Sequence, residues 1–572
     1  MSNPYASRFW TKSYDKHVKP SLEPYPETNL IKMFDDSMSK YNDKICCWFM
    51  NRNIKFDEMR TYIHKFATFL QRNGLQKGDR VAINLINSPQ YLIAHFGTIL
   101  AGGAASGCSP LLSADELVYQ INDSEAKFII TIDKVHEKVL YPVLNKVPNL
   151  KGIITVDLSS YMGFSKIKVF FGKLSKKIPK GKSLPYPGKI VLKLQDLLEK
   201  TPAELKEIKI EPEKDLALLQ YTGGTTGTPK GTELTHANIG KHMLQIENWI
   251  GLEKGKEVAL SAFPYFHLAG LIFCMMQIYL ASCQILIPDP RNVKNLIKEW
   301  ISKEPTLIAH VPTVFLMIMN NPKARDIPKN VTDKVKAMIS GAAPFPAESI
   351  REFEEKMNAK NKILEVYGMT EASPLATGNP FKGTKKIGTV GLPLQDTEVK
   401  LVDIETGEPV ELGNPGEILI KGPQITRGYY NKPEANKKTI KDGWLFTGDV
   451  GIMDEDGYIT IVDRTKDMLI VSGYKVYSIH VEDVMTKHPD IELVAIVGIK
   501  DPNRPGSEIV KAYVQLKEGI KVTSEVEESI KSYAKENLSS YENPKLWEFK
   551  EQLPLTAVGK VLKRDLRVEA NK

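Results

Sequence analysis

Apolar and polar positions follow two periods along the chain. Residues 59–74, MRTYIHKFATFLQRNG, place apolar side chains at helical spacing and close on Gly74, which predicts a helix with a glycine stop. GDRVAINLI (78–86) then predicts a strand, SPQYLIAHFGTILAGG (88–103) a helix, and AKFIITI (126–132) another strand. Such alternation predicts a layered α/β fold with largely parallel strands. The same pattern resumes over 206–380. From 391 to 463 the chain becomes strand-rich, with Gly, Pro and Asp turns around GLPLQDTEVKLVD, GEILIKG and GYITIVD, which predicts a small β-rich subdomain. The remainder carries its own strands, LVAIVGI and VKAYVQL, and its own helices.

The predicted architecture is therefore α/β. A large N-terminal domain (1–463) holds two layered α/β subdomains, 1–205 and 206–390, and a β-rich one, 391–463. A short connection at 464–467 leads to a smaller α+β C-terminal domain, 468–572. One uncharged stretch, LAGLIFCMMQIYLASCQILI (268–287), is long enough to span a bilayer. Gln277, Ser282 and Gln284 interrupt it, and Pro264 and Pro288 bracket it, so it predicts a buried helix ending near Ala281 and then a short buried strand.

A length of 572 residues exceeds a single core, in keeping with roughly three or four units of structure. Hydrophobic residues at 42% and charged residues at 26% exclude large-scale disorder. A net charge of +8, from 77 Lys and Arg against 69 Asp and Glu, suits an anionic ligand or a membrane surface without requiring nucleic acid, and no nucleic-acid-binding motif occurs. The cysteines Cys46, Cys47, Cys108, Cys274 and Cys283 show no C-x-x-C spacing, which argues against a disulfide framework or zinc site and for a reducing compartment. The N-terminus, MSNPYASRFWTKSYDKHVKP, lacks the apolar core of a secretory signal, so a cytoplasmic location is expected.

Residues 161–189, YMGFSKIKVFFGKLSKKIPKGKSLPYPGK, hold eight lysines and no acid, interleaved with Met162, Phe164, Ile167, Phe170, Phe171, Leu174 and Ile178. They fit either a solvated insert whose apolar residues pack onto the domain or a basic amphipathic segment on an anionic membrane surface. The second would place the protein peripherally on the inner face of the membrane. Oligomeric state is open, a dimer included.

YTGGTTGTPKG (221–231) has phosphate-binding chemistry. Gly223, Gly224 and Gly227 let backbone N–H groups turn toward a ligand. Thr222, Thr225, Thr226 and Thr228 add hydroxyls, and Lys230 adds a charge. It is not a Walker P-loop: Lys230 follows Pro229 and precedes Gly231, and the loop runs between two predicted strands, ALLQYT and GTELT. The helix starts only afterwards, with Thr235 as its N-cap.

VYGMTE (366–371), DGWLFTGD (442–449, placing Asp449 at the end of a turn), IVDRTKD (461–467) and PLTAVGKVLKRDLR (554–567) follow in order. With the glycine–threonine loop, they resemble the adenylate-forming superfamily: acyl-CoA synthetases, luciferases and peptide synthetase adenylation domains. DGWLFTGDVGIMDEDGYITIVDRTKD resembles the fatty-acyl-CoA synthetase signature, and the C-terminal half the long-chain fatty acid–CoA ligases.

The resemblance implies ATP, Mg²⁺ and CoA as co-substrates. It implies that Thr222 to Lys230 wrap the β- and γ-phosphates, with Thr226 and Lys230 taking part in catalysis. Ser340, Gly341, Ala342, Ala343 and Pro344 would form part of the adenine pocket, with Tyr367 against the base and Gly368 beside it. Thr370 would contact the α-phosphate region, Glu371 would help hold Mg²⁺, and Asp449 and Arg464 would bind the ribose. Lys560 would serve the first half-reaction. Ser472, Gly473 and Lys475 would line the pantetheine tunnel of CoA, and the C-terminal domain would be mobile about the hinge 464–467, with Lys466 as the hinge residue. His267 in PYFHLAG and Phe315 in HVPTVF would border the acyl pocket; some relatives carry tryptophan at the latter position.

The reaction explains these residue types. A carboxylate attacking the α-phosphorus of ATP is already ionised at neutral pH, so no general base is needed. Cations and donors must offset the charge that develops as pyrophosphate leaves. A medium- or long-chain fatty acid is the expected substrate. The alternatives are a CoA ligase for an aromatic acid, an acyl-adenylating enzyme that loads a carrier protein, and a non-catalytic nucleotide-binding or scaffold protein. The motif lysines and acids stand against the last.

Overall fold

The computed structural model describes residues 4–222, 228–472, 474–502, 504, 506–555 and 561–571. Two large sheets organise the N-terminal part. One has seven strands in the order Ile190–Lys193, Gly152–Val156, Phe128–Ile132, Arg80–Asn84, Ala104–Gly107, Leu216–Tyr221, Gly231–Thr235, and all but its last pair are parallel. The other has nine strands, from Leu392–Pro393 at one edge to Arg52–Lys55 at the other. Inner strands of the two sheets, Phe128–Ile132 in the first and Leu307–His310 in the second, are buried along their whole length, as strands covered on both faces must be.

Local chemistry sets the helices between the strands. Pro89 opens Pro89–Leu100 at the position where a missing N–H costs nothing, behind the Ser88 cap. Thr235 caps His236–Ile250 in a reciprocal box with Asn238. The 268–287 stretch forms the helix Leu268–Tyr279 and the strand Cys283–Leu286, with the break at Ala281. Among the described residues, no helix is long and apolar enough to cross a membrane.

The sheets do not divide at residue 205. The hairpin of Leu216–Tyr221 and Gly231–Thr235 completes the seven-stranded sheet, while Ile45–Phe49 pairs with Cys283–Leu286 in the other, Cys47 opposite Gln284. A cut at 205 follows the chain but not the sheets, because an open sheet edge accepts whichever strand the connections bring to it.

The β-rich part is a five-stranded antiparallel sheet built from Glu398–Val402, Gly416–Lys421, Ile440–Lys441, Trp444–Met453 and Ile459–Arg464. Beyond it, a three-stranded sheet (Ile491–Lys500, Glu508–Leu516, Leu546–Phe549) packs with helices Ser478–Met485 and Ser524–Asn537 around a separate core that includes Val481, Ile496 and Ile530. The chain is thus a mixed α/β protein with a large N-terminal domain and a smaller C-terminal one.

Candidate active site

Four neighbouring parallel strands of the nine-stranded sheet, Val258–Ser261, Leu307–His310, Ala337–Ser340 and Ile363–Gly368, each run into one motif: PYFHLAG, HVPTVF, SGAAP and VYGMTE. Motifs far apart in sequence therefore share one rim. The carboxyl ends of parallel strands are where an open α/β sheet presents loops to a ligand.

The rim is tightly built. Ala342 holds φ at 69°, a left-handed conformation that costs a non-glycine residue about 1 kcal/mol and persists only where the surroundings impose it. A side chain on Gly368 would lie 1.8 Å from the Pro374 carbonyl oxygen, so glycine alone fits where the chain folds back and Met369 N–H donates to that oxygen at 2.8 Å.

The segment 367–371 supports two clusters. At one end, the Tyr367 hydroxyl donates to Asp449 Oδ2 at 2.7 Å, and Arg464 Nε lies 3.1 Å from Asp449 Oδ1. Asp449 and Arg464 stand directly opposite each other on the antiparallel strands Trp444–Met453 and Ile459–Arg464. Asp449 was expected at the end of a turn. It lies instead within a ten-residue strand that continues through Gly448, whose φ of 68° bends the strand without ending it. Burial, and next the Asp449 carboxylate, push the Tyr367 phenol up, which keeps it a donor. Lys466 adjoins this cluster; burial, then the Arg464 cation, lowers its pKa.

At the other end, Glu371 is buried and accepts from the Tyr429 hydroxyl at 2.5 Å. Lys230 Nζ sits 5.0 Å from the centre of the Tyr429 ring. Burial raises the Glu371 carboxyl above its ordinary range, while the Tyr429 hydrogen bond and the Lys230 charge pull it back. The link is made by 426–430. Thr426 N–H donates to the Glu371 carbonyl at 2.8 Å, Tyr430 N–H to Gly231 at 2.8 Å, and Thr232 pairs with Tyr429. Thr222 N–H meets the Lys230 carbonyl at 3.0 Å, which closes the base of the glycine–threonine loop. Tyr429 was not identified from sequence. RGYYN reads as a turn, and nothing in it shows that the segment pairs with a strand about 200 residues earlier.

The PYFHLAG loop is held between the two sheets. Asn87 Nδ2 donates to Phe263 O at 2.8 Å, and Gln220 Nε2 to Phe266 O at 2.8 Å. Gln220 belongs to the strand that feeds the glycine–threonine loop, so His267, half-buried at the start of its helix, stands close to that strand's end. Phe315, expected beside the acyl pocket, is fully buried, with Phe345 stacked at 6.0 Å and Phe353 edge-on at 5.2 Å. The helix Pro312–Met319 turns this ring toward Ala347–Lys356.

In the C-terminal domain, Ser472 N–H donates to Ser507 Oγ at 2.9 Å. Lys475 points to the β-rich sheet, 4.0 Å from Asp403, beside a cavity of about 440 Å³ that Val410 and Tyr477 also line. Gly341 and Ala343 lie on the rim, and Thr370 opens the short turn that carries Glu371. Gly223, Gly224, Thr225, Thr226, Gly227, Gly473 and Lys560 lie outside the described residues.

Known proteins match along the whole chain. The pattern of the AMP-binding enzyme family matches residues 34–430, and that of the AMP-binding enzyme C-terminal domain residues 480–560. A long-chain-fatty-acid–CoA ligase of Bacillus subtilis is 36% identical over 98% of both chains, and one of Escherichia coli O6:H1 is 35% identical over 98% of both. Among solved structures, ATP-bound MatB from Rhodopseudomonas palustris superposes with a TM-score of 0.82 at 26% identity, covering 95% of this chain and 99% of that one. The anthranilate CoA ligase AuaEII in complex with anthranoyl-AMP gives 0.84 at 23% identity, covering 97% and 99%, a likeness of fold. The rim motifs, the paired clusters on 367–371 and these matches together show that the chain belongs to the AMP-binding enzyme family.

Proposed function

We propose that this chain is an AMP-forming fatty-acid–CoA ligase. It would join a medium- or long-chain acid to ATP as acyl-adenylate, with release of pyrophosphate, and then pass the acyl group to CoA with release of AMP. One observation carries the reading: a single five-residue segment holds Tyr367 against Asp449 and Arg464 at one end, and Glu371 against Tyr429 and Lys230 at the other. The first cluster offers a carboxylate and a guanidinium to ribose hydroxyls, beside SGAAP for adenine. The second offers charge to the phosphates.

In the first half-reaction the acid's carboxylate oxygen attacks the α-phosphorus and pyrophosphate leaves. Lys230, Thr222 and the loop residues 223–227 would neutralise the leaving group, with Thr370 near the α-phosphate and Lys560 bridging to the substrate carboxylate. Mg²⁺ arriving with ATP would offset phosphate charge. Glu371 fits such an ion, being a buried carboxylate whose ionised form favours a nearby cation.

In the second half-reaction the CoA sulfur attacks the acyl carbonyl and AMP departs. Rotation of the C-terminal domain about 464–467 would exchange Lys560 for the strand bearing Gly473 and Lys475. His267 would face the acid's carboxylate region. The names of the relatives support an aliphatic acid over an aromatic one. Such acids dissolve in bilayers, and the reading includes a peripheral contact between residues 161–189 and the membrane. ATP–pyrophosphate exchange without CoA is the test: it should require a fatty acid, and exchange indifferent to the acid would refute the reading.

A further inference from the structure

Within 161–189 the structure places one nine-residue helix, Lys166–Leu174, opened by Ser165, whose hydroxyl accepts from Lys168 N–H at 3.3 Å. Ile167, Phe170, Phe171 and Leu174 stand at i, i+3, i+4 and i+7, a single stripe. On an ordinary surface helix this stripe faces the core. Here its members are 71%, 63%, 60% and 68% exposed.

Other residues seat the helix. A side chain on Gly172 would lie 2.7 Å from Ile178 Cδ1, so the glycine permits close approach there, and Lys173 pairs with Asp157 at 2.6 Å. The segment is tied at both ends. Gly163 N–H donates to Met50 O at 2.9 Å, and Thr155 Oγ1 lies 2.9 Å from Ser183 Oγ. The outward stripe is therefore a held arrangement.

Charge surrounds it. Lys173 is engaged by Asp157, and Lys189 donates to the carbonyls of Val147 and Leu150. The remaining six, Lys166, Lys168, Lys176, Lys177, Lys180 and Lys182, are exposed, with no acid anywhere in the segment.

We propose that this helix is an interfacial anchor for anionic phospholipid. The stripe enters the acyl-chain boundary and the exposed lysines meet the lipid phosphates. A nine-residue helix lies on a bilayer; a span needs about 20 residues. A soluble anion would engage the lysines but leave four large apolar side chains in water. A protein partner or a second copy would cover the stripe, yet the uniform positive charge around it specifies a surface of uniform negative charge. The inference deepens the peripheral contact proposed above; it rests on the helix and the exposed lysines in and after it, and stands whether or not the proposed substrate is right.

The test is co-sedimentation of the full chain with vesicles of phosphatidylcholine, alone or with about 30 mol% phosphatidylglycerol. The protein should pellet with the anionic vesicles, bind neutral ones at least about tenfold less, and be released by raised salt. Phe170→Glu/Phe171→Glu should cut anionic partitioning at least about tenfold with an unchanged melting temperature, since both rings are solvent-exposed. Lys176→Glu/Lys177→Glu should do the same and weaken the salt dependence. Failure of the parent to pellet with anionic vesicles, or equal pelleting of the phenylalanine variant, overturns the proposal. So does a change from dimer to monomer in that variant with vesicle binding intact, which would assign the stripe to a second copy.

Discussion

Replacing Tyr429 by phenylalanine removes one hydroxyl from the site and keeps the ring under Lys230. Glu371 then loses the hydrogen bond that holds its carboxylate ionised in a buried place, where burial already raises its pKa. A hydrogen bond to a charged acceptor is worth about 1.5–3 kcal/mol, and about 1.4 kcal/mol is a factor of ten in rate or affinity. Losing it should push the Glu371 carboxyl further up, in the direction burial already drives it. If Glu371 must be ionised to hold Mg²⁺ with ATP, the acidic limb of the rate profile moves toward neutrality, and the rate on that limb falls at least about tenfold. Acid-dependent ATP–pyrophosphate exchange across pH, at saturating ATP and graded Mg²⁺, reads this directly. The alkaline plateau should be preserved, and the Mg²⁺ requirement at neutral pH should rise. An acidic limb that stays in place, with the rate lowered uniformly, would refute the link between Tyr429 and Glu371 ionisation.

Asp449→Asn leaves Arg464 with a neutral partner and should raise the KM for ATP at least about tenfold, with little change in the KM for the acid, measured by initial rates; equal effects on both would remove Asp449 from nucleotide binding. Burial pushes the Glu365 carboxyl up to about 8 from 4.5, opposed by a hydrogen bond from Gly388 N–H, so the folded state holds its proton more tightly than the unfolded one. Its stability contribution is complete below pH 4.5 and is lost as pH rises toward 8. Glu365→Gln, which can still accept from Gly388, should gain roughly 1–3 kcal/mol relative to the parent between pH 5 and 8 in denaturant melts; parallel pH slopes would contradict the shift. Lys560→Ala should nearly abolish acyl-adenylate formation yet spare thioester formation from supplied acyl-adenylate, and equal loss in both steps would sink that assignment.

Much of the fold is legible in the sequence because strong local signals agree with the tertiary outcome. Thr235 caps its helix, and the two glutamines and one serine within 268–287 mark a helix and strand inside the protein. Four motifs named through the family resemblance, PYFHLAG, HVPTVF, SGAAP and VYGMTE, meet on one rim because each ends a parallel strand. Other features depend on pairings no local pattern encodes. Cys47 opposite Gln284 puts an early strand in the later sheet. Asp449 resembles a turn former but continues a strand across a left-handed glycine. The family resemblance alone places Phe315 at the acyl pocket; that its ring packs onto Phe345 and Phe353 is a long-range contact no local pattern encodes. Tyr429 joins Lys230 to Glu371 through a backbone bridge spanning about 200 residues, where periodicity carries no information.

The most direct measurement supplies ATP, Mg²⁺ and CoA with saturated acids of graded chain length and with benzoate, and quantifies thioester, AMP and ADP together. The account predicts acyl-CoA and AMP in equal amounts, no ADP, and a preference for medium- or long-chain acids over benzoate. Thioester accompanied by ADP, or turnover of benzoate above every aliphatic acid, would contradict it.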